Sequence, residues 1–238
     1  MRRMLMGILV ALLAIAPSWA QNATKLDEII ARGTLRVGLT GDYRPFSVLD
    51  KTSGQYSGID VDMANGLATA LGVKLEIVPT IWRELLADVN SGKFDIGMGG
   101  ISVTLDRQKL AFFSTPVMRA GKAAIARCVV KGKYQSLAAI DRANLKNARI
   151  VVFPDNTRIF DELVAGHADL MITDAVETRL QQKLHPELCA INPDHPFDFG
   201  ELAYLLPRDA IWQQYVNQWL RVSTESGASQ KIIDTYLK

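Results

Sequence analysis

Asp174 and Glu177 stand three residues apart where a short apolar strand, residues 170–173, runs into a helix expected over 174–184. Side chains three apart share one face of a helical turn, so both carboxyls can point into the same cleft. A carboxyl group buried in such a cleft resists ionisation and can act as a proton donor near neutral pH. Arg107 follows Ser102-Val103-Thr104 in a turn after a strand expected over 94–98. Its planar guanidinium matches a carboxylate in a two-point grip. Lys122 is a second cation, and Trp82, Tyr43 and Phe46 offer flat walls for a ring. Each also has a plainer reading: an exposed helix Glu, an Arg at a helix start, a surface Lys, and aromatics in the core. Gly97-Met98-Gly99-Gly100 follows a strand but lacks the Lys-Ser/Thr pair of a nucleotide cradle.

These residues must be positioned by alternating strands and helices. In the first half the pattern gives a helix over 26–31, a strand over 35–39, a helix over 60–71 stopped by Gly72, a strand over 74–78, a helix over 82–89 and the strand over 94–98. This β-α-β-α-β order predicts a parallel sheet covered by helices. The second half repeats the logic. It has a strand over 149–153, Asp155 as a helix cap, a helix over 159–164, the strand and helix at 170–184, a strand over 203–206 and helices around 215–222 and 231–237. Two α/β halves imply two lobes. Ligands bind outside the carboxyl ends of such sheets, here in the cleft between the lobes.

The length of 238 residues fits one large or two small domains, and 48% apolar with 22% charged residues excludes collagen, coiled coil and wholesale disorder. A formal charge of +2 without a basic block argues against nucleic-acid binding. Arg2 and Arg3, an apolar run and Ser18-Trp19-Ala20 form a secretory signal pattern over 1–20, too short for a comfortable membrane span, with cleavage expected after Ala20. Its removal takes two basic residues and no acidic ones, leaving 25 of each sign. The mature protein is then neutral, exported and free of the membrane. In an oxidising compartment Cys128 and Cys189 read as one disulfide. His167, His185 and His195 lack metal-ligand spacing, so no metal is expected and surface or structural roles are.

An ordered set of segments resembles the periplasmic solute-binding proteins of the amino-acid type, family 3. They are Gly41-Asp42-Tyr43-Arg44-Pro45-Phe46, Gly58-Ile59-Asp60-Val61-Asp62, Phe94-Asp95-Ile96, Gly100-Ile101-Ser102-Val103-Thr104 with Arg107, and Phe113-Ser114-Thr115-Pro116. Within that family the chain looks most like the cyclohexadienyl dehydratases, through Thr80-Ile81-Trp82, Arg119-Ala120-Gly121-Lys122, Thr173-Asp174-Ala175-Val176-Glu177, His185-Pro186-Glu187-Leu188-Cys189 and Pro196-Phe197-Asp198-Phe199.

The resemblance implies a two-lobed α/β periplasmic-binding-protein-like fold of type II. Residues 21–122 would form the first lobe, 123–203 the second, and 204–238 a return to the first. It implies decarboxylative dehydration of prephenate to phenylpyruvate and of L-arogenate to L-phenylalanine, in the periplasm and without a cofactor. Glu177 would be the general acid and Lys122 its catalytic partner. Arg107, Ser102, Asp174, Trp82, Tyr43 and Gly100 would hold the substrate. A homo-oligomer is compatible with this reading. In the family a strand and a Gly-Thr or Gly-Ser turn follow the helix near 136–141, whereas here Asp141 runs straight into Arg142. The second lobe is therefore expected to be short by a strand and part of a carboxylate clamp, which would leave neighbouring edges unpaired or force 128–130 or another segment to fill the place. The alternatives are an amino-acid receptor for an ABC importer, which Arg107 with Asp174 favours, and a degenerate member with weakened activity.

Overall fold

A computed structural model describes residues 23–134, 149–151, 153 and 155–238. The signal segment and the shortened stretch around 141–142 lie outside the described residues. Helix α1 (Lys25–Arg32) opens on a reciprocal Thr24–Asp27 capping box. Strand β1 (Thr34–Leu39), the small strands β2 (Asp42–Tyr43), β3 (Ser47–Leu49) and β4 (Tyr56–Ser57), and helix α2 (Ile59–Leu71) follow. Next come β5 (Lys74–Pro79), α3 (Leu85–Asn90), β6 (Ile96–Gly97), α4 (Leu105–Gln108), β7 (Phe112–Phe113), β8 (Met118–Ala120) and β9 (Lys122–Arg127). The rest is α5 (Ile159–Val164), β10 (Met171–Asp174), α6 (Ala175–Leu184), β11 (Leu188–Ile191), β12 (Gly200–Leu202), β13 (Leu205–Leu206), α7 (Ala210–Glu225) and α8 (Ala228–Leu237).

The larger sheet has the order β5-β1-β6-β13-β7. Its β5, β1 and β6 run parallel, as the β-α-β-α-β pattern requires, and β13 returns antiparallel between β6 and β7. Leu35, Val37, Leu39, Ile96, Leu67 and Trp212 are buried in its core. The smaller sheet, β10-β9-β11, is antiparallel throughout. A ribbon of β8 and β12 lies where the chain passes between the two sheets.

Several expectations need correction. The helix expected from Trp82 starts at Leu85, because 81–84 forms a turn closed by Glu84 N–H donating to Ile81 O at 2.9 Å. The strand expected over 94–98 pairs only at Ile96–Gly97, where the chain then bends into Gly99 and Gly100. The second half does not repeat the parallel pattern. The strand expected over 149–153 is not formed by its described residues, and Ile150 and Val151 are exposed rather than seated on a sheet. β10 is thus an edge strand among the described residues, with no parallel neighbour for that segment to join. Nor does 128–130 fill the place, since Cys128–Tyr134 is 3-10 helix. Cys128 and Cys189 are disulfide-bonded, tying the end of β9 to β11 with 61 residues between them. Closing a loop of that length in the unfolded chain stabilises the fold by roughly 4 kcal/mol.

Asp60 holds the turn that forms the floor of the cleft. Its buried carboxylate accepts from Gly99 N and Gly100 N, both at 2.8 Å, and from the Tyr204 hydroxyl at 3.1 Å. Burial pushes the Asp60 carboxyl up to about 6 against the pull of these three donors. At Gly100, φ is +72° and a Cβ would sit 2.6 Å from the Phe46 ring, so only glycine fits this close approach. Asp60→Ala is expected to destabilise the protein by about 3 kcal/mol in urea unfolding, because two N–H groups and a phenol lose a buried acceptor. A loss below about 1 kcal/mol would show that the turn holds itself.

Candidate active site

The two sheets face one another across a cavity of about 200 Å³. From the larger sheet's side it is lined by Tyr43 of β2, Trp82, Gly100, Ser102 and Arg107 of α4. From the smaller sheet's side come Lys122 at the start of β9, Asp174 at the end of β10 and Glu177 in the first turn of α6. The structure therefore brings together all eight side chains and backbone positions expected to hold substrate or do chemistry. Phe46 is not among them. It is fully buried behind Tyr43, with ring centroids 5.1 Å apart, so it supports the cavity wall rather than forming it.

Four further residues line the cavity: Asp42, Asn156, Met171 and Thr173. Asp42 accepts the Trp82 indole N–H at 2.9 and 3.1 Å on its two oxygens, which fixes the indole plane. It also accepts from Asn156 Nδ2 at 3.2 Å, a contact across the cleft. Asp42 and Thr173 both lie inside the segments that carry the family resemblance. Their roles depend on partners 40 and four residues away, which spacing alone does not reveal.

Asp174 caps α6 by position but makes no side-chain cap bond. Its carboxylate is taken instead by Lys122 Nζ at 2.7 Å and by the Tyr43 hydroxyl. Asp174 is nearly fully buried while Lys122 reaches partly into solvent. One of the five N–H donors of Arg107 goes to Ser102 O at 2.9 Å, which aims the guanidinium along the cavity wall.

Glu177 is 5% exposed and accepts from the Thr173 hydroxyl at 2.5 Å. Burial pushes its carboxyl up to about 8. The Thr173 bond and the charge of Lys122 pull it down, while Asp174 and Asp42 add to the rise. Near pH 7 Glu177 therefore keeps its proton, with Lys122 opposing that state and Asp174 and Asp42 reinforcing it.

This has a stability consequence. The unfolded chain ionises Glu177 from about 4.5, whereas the folded chain holds the proton to about 8. The cost to stability is absent below the lower value, grows through that window and is complete above it. Glu177→Gln, neutral at every pH, is expected to raise the melting temperature by about 10 °C at pH 8 and to change it little at pH 4.5. A difference that does not widen with pH would contradict the raised value.

Residues 35–238 match the bacterial extracellular solute-binding proteins, family 3. The chain belongs to this family. The cyclohexadienyl dehydratase of Pseudomonas aeruginosa is 48% identical over 247 residues, covering 96% of this chain and 91% of that one. An ancestral cyclohexadienyl dehydratase structure is 45% identical with a TM-score of 0.62, covering 90% of this chain and 97% of the other. An ancestral amino acid-binding protein, described as a precursor of cyclohexadienyl dehydratase, is 34% identical with a TM-score of 0.81, covering 90% and 100%. The fold shared with these solute-binding proteins has two lobes, matching the two facing sheets. The alignment with the Pseudomonas enzyme spans 247 positions against 238 residues here, so that enzyme carries residues with no counterpart in this chain. No helix among the described residues is long and apolar enough to cross a membrane.

Proposed function

We propose that this chain is a periplasmic cyclohexadienyl dehydratase. It converts prephenate to phenylpyruvate, and L-arogenate to L-phenylalanine, with loss of water and carbon dioxide. The observation that carries the reading is the buried carboxyl of Glu177 in one small cavity with Arg107 and Lys122, an environment that favours its protonated form. The ring hydroxyl of these substrates leaves only once it is protonated, and Glu177 is the donor placed to do so. Arg107 holds the side-chain carboxylate in a two-point grip. Lys122 faces the ring carboxylate that departs as carbon dioxide. Trp82, held rigid by Asp42, and Tyr43 form the walls on which the ring becomes aromatic. The substrate's own negative charge opposes ionisation of Glu177 and so keeps the acid loaded until the proton is used.

The amino-acid-receptor reading needs Asp174 to hold an ammonium group, but Lys122 already occupies that carboxylate at 2.7 Å. The same pairing favours prephenate, which has a keto group where arogenate has an ammonium. Prephenate is thus expected to be consumed with a higher kcat/KM than arogenate. Formation of phenylpyruvate, followed by its ultraviolet absorbance with the purified mature protein, tests the function. Thermal stabilisation by an amino acid without prephenate turnover would select the receptor. Neither activity would select the degenerate member, as the shortened second lobe suggests.

The signal segment and family membership support export to the periplasm, checked by the mass of the mature chain in that fraction.

A further inference from the structure

Glu177 lines two cavities. The second, about 290 Å³, is lined by neither Arg107 nor Lys122, and Asp42 and Asn156 form part of both walls. Gln181, one turn further along α6 and 4% exposed, lines it too. Asp161 and Arg44, both exposed, open it to solvent, with His185 on its flank.

The reaction read from the first cavity, on which this inference rests, consumes a proton. The prephenate dianion takes one from the carboxylic acid at 177. It then splits into the phenylpyruvate monoanion, carbon dioxide and water, leaving a carboxylate at 177. The C–O bond of the ring hydroxyl and the bond to the departing carboxylate both break, and the electron pair of the latter completes the aromatic ring. The carboxylate must regain a proton from solvent before the next cycle. Bound substrate or product in the first cavity stands between Glu177 and the solvent on that side. Three contacts bridge the two halves: Tyr43 bonds Asp174, Asn156 bonds Asp42, and Lys51 pairs with Asp155 at 2.9 Å.

We propose that the second cavity is the proton-reloading passage of Glu177: a hydrated channel that returns a proton from solvent to the carboxylate, with His185 as a carrier near its mouth. The volume has room for several water molecules, and Asp42, Asn156, Thr157 and Gln181 give them polar partners on a wall that Val48, Phe160 and Leu184 complete. An imidazole can accept and release the proton in turn. The other groups facing Glu177 are Thr173 and Asp174 of β10, Lys122 of β9, and Asp42 and Tyr43 of β2. Lys122, the one basic group among them, is already paired with Asp174 at 2.7 Å.

The passage predicts a split between the first turnover and those that follow. Gln181→Leu keeps the bulk of the side chain but makes its part of the wall apolar. With enzyme in excess, prephenate should be converted at the wild-type rate, because the first proton is already in place. Under steady-state turnover the rate should fall at least tenfold and recover with added imidazole buffer. His185→Phe, which keeps a ring against Phe160, where His185 now stacks at 6.3 Å, should show the same split with a smaller fall. Equal losses in both regimes, or no loss in either, in both variants would overturn the passage. A wild-type protein without prephenate turnover would instead overturn the functional reading beneath it, so the two failures are told apart.

Discussion

Glu177→Gln is expected to lower kcat for prephenate by about 10³-fold while leaving KM within a few fold. The amide keeps the size and neutrality of the protonated acid and can still accept from the Thr173 hydroxyl that lies 2.5 Å from Glu177. What it lacks is a proton it can give away. The same argument fixes the shape of the wild-type pH profile. The donor must be protonated, so kcat/KM should stay level through neutrality and fall about tenfold per pH unit above the value of about 8 to which burial raises Glu177, with the limb in kcat displaced further upward by the charge of bound substrate. Residual turnover of the variant should lose that alkaline limb. Stopped-flow formation of phenylpyruvate across pH 5–10 measures both. A variant with wild-type kcat would remove Glu177 from the chemistry.

Lys122→Met is expected to lower kcat/KM for prephenate by about 10²-fold, the scale of one lost charge-assisted contact in a partly dry site. Two further effects separate this from general damage. The positive charge of Lys122 holds Glu177 down, so its removal should move the alkaline limb of the pH profile upward. Removal also frees the Asp174 carboxylate, now only bonded by Tyr43, to pair with a ligand ammonium while Arg107 takes the ligand carboxylate. The variant should therefore acquire a melting-temperature increase with amino acids that the wild type lacks. Unchanged kcat/KM together with no new amino-acid binding would place Lys122 outside the site.

The residues behind both effects carry a signal in the chain's local pattern. Asp174 and Glu177 sit at a strand-to-helix junction where a three-residue spacing points both one way, and Arg107 follows a turn after a strand. Such local geometry is written in the chain because a few backbone dihedrals set it. Helix α2 and strands β1 and β5 were legible for the same reason: their apolar periodicity and the stop at Gly72 are short-range signals. The antiparallel smaller sheet was not legible. Alternating strands and helices do not state which strands meet, and 149–153 reads as a strand only if another strand is there to receive it.

By itself the sequence determined the alternation of elements, the two lobes and the roster of polar groups able to do acid chemistry on a carboxylated ring. Only the tertiary structure decided the state of those groups. It placed Asp42 against Trp82 and Asn156, gave Asp174 to Lys122, and walled Glu177 between two cavities. The physical reason is that a carboxyl group's hold on its proton depends on how much water and which charges surround it. Those surroundings are built from segments far apart in the chain that meet only when the lobes come together.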